Sequence, residues 1–114
     1  MGSRDKNILI KILQEISLIS EMTDGYNYIH FESSEKTKRA VCMTLINIGE
    51  MVKLLSAEIK QNNPSIPWRS ISGLRDVTAH GYQTLRMEDI WETIATETPL
   101  LKKRIKEILS QGQI

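Results

Sequence analysis

The sequence predicts an all-α protein, an up-down bundle of four to five helices. Three observations predict it. Apolar residues recur at i, i+3 and i+4 spacing through three long stretches. No stretch alternates apolar and polar residues with period two, so strands are not expected. Helix-breaking residues stand between the periodic stretches: Asp24-Gly25, Asn62-Asn63-Pro64 and Gly81.

Taken in order, residues 5–22 place Ile8, Leu9, Ile12, Leu13, Ile16 and Ile19 on one face, with Asp5 as the expected N-cap. Residues 26–32 read as a connecting loop anchored by Tyr28, Ile29 and Phe31. Ser33 or Ser34 caps a second helix with Glu35 in its first turn. The stripe of this helix runs Val41, Leu45, Ile48, Val52, Leu55 and Ile59. That predicts one uninterrupted rod of about 28 residues, a wall of the bundle. Pro64 to Trp68 forms a stiff connector, with Pro67 suited to the first turn of the next helix. Trp68, Ile71, Leu74 and Val77 supply the apolar face of that helix, and Gly81 its C-terminal cap. A last helix begins near Met87 and carries Ile90, Trp91, Ile94, Leu101, Ile105, Ile108 and Leu109. Pro99 is expected to kink or divide it after Glu97.

With 114 residues the chain fits a single domain, 1–114, with residues 1–4 expected to be disordered or an expression remnant. A chain of this length buries roughly 65% of its unfolded surface, enough for a modest core without disulfides or metals. Fifteen basic against fourteen acidic residues leave a net charge of +1, so any contact with nucleic acid must use a local patch. Cys42 is the single cysteine, which excludes an intramolecular disulfide and a CxxC metal site. A reducing cytoplasm is the expected compartment. No leader pattern opens the chain, and no apolar run approaches the roughly 18 residues that a membrane span needs. Met43, Ile46, Met51 and Leu54 lie off the main stripe of the second helix and widen its apolar surface. They read either as extra core or as a homodimer face.

The chemistry concentrates in Arg75-Asp76-Val77-Thr78-Ala79-His80-Gly81-Tyr82. Arg presents a planar fork to phosphate oxygens, and His titrates near neutrality and can move protons. On a regular helix Arg75 and His80 would splay about 140° apart at about 100° per residue, whereas Asp76 and His80 would be neighbours. A helix ending near His80 could bring the imidazole round to the guanidinium. The structural alternatives are equally concrete: Arg75 paired with Glu50, His80 as a C-cap, and Tyr82 as a core plug. Residue chemistry alone leads to a candidate anion site.

The Arg-x4-His-x-Tyr arrangement of Arg75, His80 and Tyr82 resembles the signature of HepT-like ribonucleases of the HEPN superfamily. The resemblance extends through Ile48-Gly49-Glu50, Ile66-Pro67-Trp68, Ile71-x-Gly73-x-Arg75 and Trp91 followed by Pro99 and Leu101. It covers the chain from about Ile8 to Leu109. It implies a HEPN-like bundle that dimerises so that the motifs of both protomers line one cleft. It also implies a metal-independent endoribonuclease toxin that uses no cofactor. The implied partner is an MntA-like minimal nucleotidyltransferase antitoxin, which silences the toxin by transferring AMP to the motif tyrosine. Carried onto this chain, Arg75 and His80 would be catalytic and Tyr82 the AMPylated residue. From the residues themselves, Glu50 reads either as orienting Arg75 or as a solvated or structural carboxylate, and Asp76 as raising the His80 pKa. Expected partners are thus RNA, the antitoxin and a second copy, with a larger heteromeric complex also open and no membrane. The alternative function is a noncatalytic substrate- or nucleotide-binding subunit of a nucleotidyltransferase.

Two positions depart from the family pattern. Gln83-Thr84-Leu85-Arg86 stands where relatives carry a capping Asp, which leaves Thr84 to cap the last helix, and Asp76 replaces the more usual Asn. Other polar residues read as structural. His30 is a surface or packing histidine, and Cys42 a small buried apolar group. Lys36, Lys38 and Arg39 belong to a solvated helix start, and Lys102, Lys103, Arg104 and Lys106 to a solvated helix face. Trp68 and Trp91 are core anchors.

Overall fold

The computed structural model describes residues 2–74 and 84–111. Among them the chain is all-α, with no strand. Seven α-helices appear: α1 (Ser3–Met22), α2 (Tyr28–Ser33), α3 (Glu35–Lys53), α4 (Ala57–Asn62), α5 (Trp68–Ser72), α6 (Met87–Glu92) and α7 (Thr98–Ser110). A π-helical turn, Thr93–Glu97, joins α6 to α7 without a break. Three long rods carry the bundle, namely α1, α3 and the continuous run from α6 to α7, with short helices between them.

α1 and α3 lie antiparallel, and side-chain hydrogen bonds mark their register. Tyr26, just beyond α1, meets Thr37 at 3.2 Å; Asn47 donates to Glu15 at 3.0 Å; Asp5 pairs with Ser56 just beyond α3. Between the rods the predicted stripes meet: Leu9, Ile12 and Ile16 of α1, Val41, Leu45, Ile48 and Val52 of α3, and Leu101, Ile105 and Ile108 of α7 are all buried. Burying one such side chain stabilises the fold by about 1.5–3 kcal/mol before entropy is counted, so this interface dominates the energetics. Cys42 is buried among them, 4% exposed, as its sequence context suggested.

Local structure departs from the sequence expectation at several places, each for an identifiable reason. Asp5 is not an N-cap. α1 starts two residues earlier, at Ser3, beyond a Gly2 cap with no side-chain hydrogen bond, so Ser3 and Arg4 are helical rather than disordered. The buried Asp5 carboxylate instead accepts from the backbone N–H (3.0 Å) and hydroxyl of Ser56. That contact explains the next difference. The second helix is not one rod: it stops at Lys53, and Ser56 caps α4 by accepting from the Ile59 N–H at 3.3 Å. Leu55 and Ile59 stay buried across the break, so the apolar periodicity continues although the helix does not.

Residues 26–32 are not a plain loop. Gly25 turns the chain at φ 75°, a left-handed conformation that glycine adopts without strain, and Asn27 then caps α2 by accepting from the His30 N–H at 2.8 Å. Phe31 is the true anchor and is fully buried, whereas Ile29 points outward, 76% exposed. Ser34, as expected, caps α3 through the Thr37 N–H. Met43 and Leu54 are 57% and 53% exposed, which removes the extra-core reading for those two. Thr84 does not cap the last helix: the N-cap of α6 is Arg86, without a side-chain cap hydrogen bond.

The last helix is not divided: it changes from π to α winding after Glu97, the point at which Pro99 was expected to act, and runs on unbroken. Pro99 brings no N–H to the ladder and would crowd the carbonyl four residues back, and the chain widens into a π turn just before it. Threonine hydroxyls brace this stretch. Thr93 donates to the Asp89 carbonyl at 2.9 Å, Thr96 to Glu92 at 2.8 Å and Thr98 to Ile94 at 3.2 Å. Such back-bonding favours a bend over a straight rod.

Candidate functional site

The motif residues Arg75, Asp76, His80 and Tyr82, together with Val77 and the proposed Gly81 cap, lie outside the described residues. What the structure shows is the frame on either side of them. On the N-terminal side, α5 is held by Trp68, which is buried and donates its indole N–H to the Asn63 carbonyl at 3.0 Å. Pro67 stands at the N-cap, one residue ahead of the first turn in which it was expected. Gly73 ends α5 in a right-handed conformation; a Cβ there would meet the carbonyl oxygens of Arg69 and Ser70 at 3.3 and 3.4 Å. Glycine thus permits a close approach of the chain to its own preceding turn, two residues before Arg75.

On the C-terminal side, α6 is fixed against α2. Phe31 and Trp91 pack with ring centroids 5.3 Å apart, and Tyr28 meets Trp91 edge-on at 6.3 Å. The Tyr28 hydroxyl donates to the Glu88 carboxylate at 3.2 Å. Partial burial, then the hydrogen bond and charge of Glu88, raise the Tyr28 pKa. A hydrogen bond from its own backbone N–H, then the one from Tyr28, lowers that of Glu88. Arg86 lies 3.6 Å from Glu88 and 3.9 Å from Asp89, so its charge is shared with the first turn of α6. Trp91 is partly buried and Trp68 buried, which makes both packing anchors.

Between α5, the π turn and α7 lies a groove of about 130 Å³. Ile48, Ile66, Pro67, Ile71, Leu74 and Leu101 form its apolar walls, and Leu74 is the residue immediately before Arg75. Polar groups stand at its rim: Ser70, Glu97 and Arg104, whose guanidinium donates to the Ser65 hydroxyl at 3.1 Å. Sequence reading missed this feature. Its walls come from four separate elements, and Arg104 reads along the chain as one more cation of a solvated run.

Glu50 is exposed on α3, seven residues after Met43 and four before Leu54. At about 100° per residue those three fall on one line along the helix. The remaining sequence candidates prove structural. His30 is exposed and stacks on Tyr26, with ring centroids 3.7 Å apart. Lys38 reaches toward Glu32 and Glu35, and Arg39 pairs with Glu35 at 3.2 Å. Burial pushes the Cys42 thiol up to about 11, the reverse of what a nucleophile needs. Among the described residues no three His, Cys, Asp or Glu side chains are grouped to hold a metal, and no helix is long and apolar enough to cross a membrane.

Comparison with known proteins decides the family. The family model "Ribonuclease HepT-like" matches residues 12–108. The chain belongs to the HepT-like ribonuclease family. It is 38% identical over 100 residues to "Putative RNase TTE0752" of Caldanaerobacter subterraneus subsp. tengcongensis, covering 88% of this chain and 89% of that protein. It is 34% identical over 110 residues to "Putative RNase MJ1216" of Methanocaldococcus jannaschii, covering 96% and 91%. With "Probable ribonuclease HepT" of Thermococcus cleftensis it shares 32% over 108 residues, covering 95% and 98%. No solved structure matches the chain. Membership makes this HepT-like protein an enzyme of the endoribonuclease class, and its all-α bundle agrees with the HEPN-like architecture.

Proposed function

We propose that this HepT-like protein is the endoribonuclease toxin of a toxin–antitoxin pair, acting through Arg75 and His80 and silenced by AMP on Tyr82. The observation that carries the reading is the complete Arg75-x4-His80-x-Tyr82 motif within a chain that matches the family over residues 12–108. A single-motif nuclease without a metal can use the ribose 2′-hydroxyl as its nucleophile, which explains RNA rather than DNA. The 2′-oxygen attacks phosphorus, the bond from phosphorus to the 5′-oxygen breaks, and a cyclic phosphate and a 5′-hydroxyl result. His80 takes the 2′ proton or protonates the leaving oxygen. Arg75 holds the phosphate and offsets charge that develops in the transition state. Asp76 supports the imidazolium form of His80.

Two proton transfers want a base and an acid, and each chain brings one motif histidine. A homodimer with both motifs in one cleft meets that need. Met43 and Leu54, exposed on one line of α3 with Glu50 between them, support such a face. In silencing, the Tyr82 hydroxyl attacks the α-phosphorus of a nucleoside triphosphate bound by a nucleotidyltransferase partner and releases pyrophosphate. The added phosphate repels RNA from the motif by like charge and bulk.

The test is cleavage of RNA by the purified protein in a chelator. Wild type should cleave, and His80→Ala should lower the rate by roughly a hundredfold or more, the usual scale of a lost general acid–base. Undiminished cleavage by His80→Ala removes His80 from the mechanism. Absence of cleavage by active-site-intact protein, with binding to a nucleotidyltransferase preserved, favours the noncatalytic subunit instead.

A further inference from the structure

We propose that the groove between α5, the π turn and α7 is a nucleobase pocket that seats one base of the RNA beside the cleaved bond and selects bases bearing an exocyclic amino group. The inference rests on the ribonuclease reading of the motif and names a base-reading site outside it.

Four observations carry it. The groove is small: about 130 Å³ lies well below the roughly 300 Å³ at which pockets for whole ligands begin, so one ring system fits and a larger ligand does not. Its walls are apolar, with Ile71 and Leu74 from the α5 side and Leu101 from α7, the surface against which an unstacked base loses least on leaving water. Leu74, one of its lining residues, immediately precedes Arg75 in the chain, so the groove and the motif are neighbours in sequence. Its rim is polar in a directional way. Glu97 accepts hydrogen bonds only, and none among the described residues engages it. Arg104 donates only and is steadied by Ser65.

Glu97 and Arg104 are seven residues apart, roughly 10 Å of helix rise. That spacing suits the two ends of a nucleotide, an amino group on the base edge at Glu97 and a phosphate at Arg104. The pairing of carboxylate with exocyclic amine is the one by which acidic side chains read cytosine. Uracil, whose edge lacks an amino group, leaves Glu97 without a donor. Lys102, Lys103 and Lys106 line a separate shallow hollow on α7 with Pro99, so Arg104 is the cation of the groove among the described residues.

Binding and cleavage are measured separately. Binding uses 2′-O-methyl tetranucleotides of A, C or U, which cannot be cut by attack of the 2′-oxygen, titrated into ¹⁵N-labelled full-length protein. Shifts should concentrate at Ser70, Ile71, Leu74, Glu97 and Leu101, with A and C bound at least fivefold more tightly than U. Ser70→Phe, a change at an exposed rim position, should weaken A and C tenfold or more by filling the groove. Glu97→Gln should reduce the preference for A and C over U to less than twofold while the protein stays folded. Shifts confined to the Lys102–Lys106 face, or Ser70→Phe and Glu97→Gln that bind all three tetranucleotides like wild type, overturn the proposal. So does Ser70→Phe changing only the oligomeric mass, which would make the groove a protein contact. Cleavage in wild type with unchanged base preference in both variants sinks the pocket and leaves the ribonuclease reading standing; selective binding without cleavage does the reverse.

Discussion

Cys42 shows how burial decides the role of a single residue. Alone in the sequence it is a thiol that nucleophilic chemistry, metal binding or oxidation could use. In the fold it lies against the α1–α3 interface, and the loss of water raises its pKa to about 11. The neutral thiol is the form that folding favours, so its contribution is full below the ordinary cysteine pKa and is lost as pH rises through about 11. A thiol reagent at pH 8 should therefore label native protein very slowly and denatured protein at once; rapid labelling of the native form would contradict the burial. Tyr28 and Glu88 form the opposite case, an exposed pair. The Glu88 shift is downward, so its contribution holds above the ordinary carboxylate range and fades as pH falls through its lowered value. The Tyr28 shift is upward, so its contribution holds below pH 10 and fades as pH rises further. Glu88→Gln should bring the Tyr28 pKa down toward 10 in an ultraviolet titration, with little change in melting temperature because the pair is solvated.

Helix boundaries show where periodicity stops being informative. The stripe from Val41 to Ile59 is regular enough to predict one helix, yet the backbone breaks after Lys53. The cause lies fifty-one residues away in the chain: the Asp5 carboxylate engages Ser56, which caps α4. Removing the Ser56 hydroxyl takes away a cap and one partner of a buried carboxylate. Ser56→Ala should cost about 2–3 kcal/mol in chemical denaturation, combining a lost cap of about 1 kcal/mol with an under-satisfied buried acceptor. A loss under about 0.5 kcal/mol would mean that α4 does not depend on this contact. The irregularity ahead of Pro99, by contrast, was legible from the residue itself, because the missing N–H and the steric demand are local properties. The π form of the turn was not, since widening competes with a simple kink and the Thr93, Thr96 and Thr98 hydroxyls tip the balance.

At the scale of the molecule, the bundle buries one face of each long helix and leaves Met43 and Leu54 in solvent. Replacing both by Glu should leave the far-ultraviolet circular dichroism and melting temperature nearly unchanged. If this face joins two copies, the mass in sedimentation should fall from dimer to monomer, with cleavage lost at least tenfold. A double variant that remains dimeric moves the interface elsewhere. Expressed with its nucleotidyltransferase partner, the protein should gain the mass of one AMP on the peptide carrying Tyr82. An unmodified Tyr82 in a silenced complex would require inhibition by binding alone.

The amino-acid sequence by itself determined the all-α class, the core stripes of α1, α3 and α7, a serine cap at position 33 or 34, an irregularity of the last helix at Glu97 and the candidate motif. These are set by local spacing and by the backbone chemistry of single residues. Glu50 could be chosen as a candidate from the sequence, but its position on an exposed line with Met43 and Leu54 emerges only once α3 has packed. Only the tertiary structure decided that Asp5 serves α4 rather than α1, that Phe31 rather than Ile29 anchors the first connection, and that α5, the π turn and α7 enclose a groove that Leu74 helps to line. Each depends on residues brought together across tens of positions, and one-dimensional periodicity records which face a helix buries but not what lies against it.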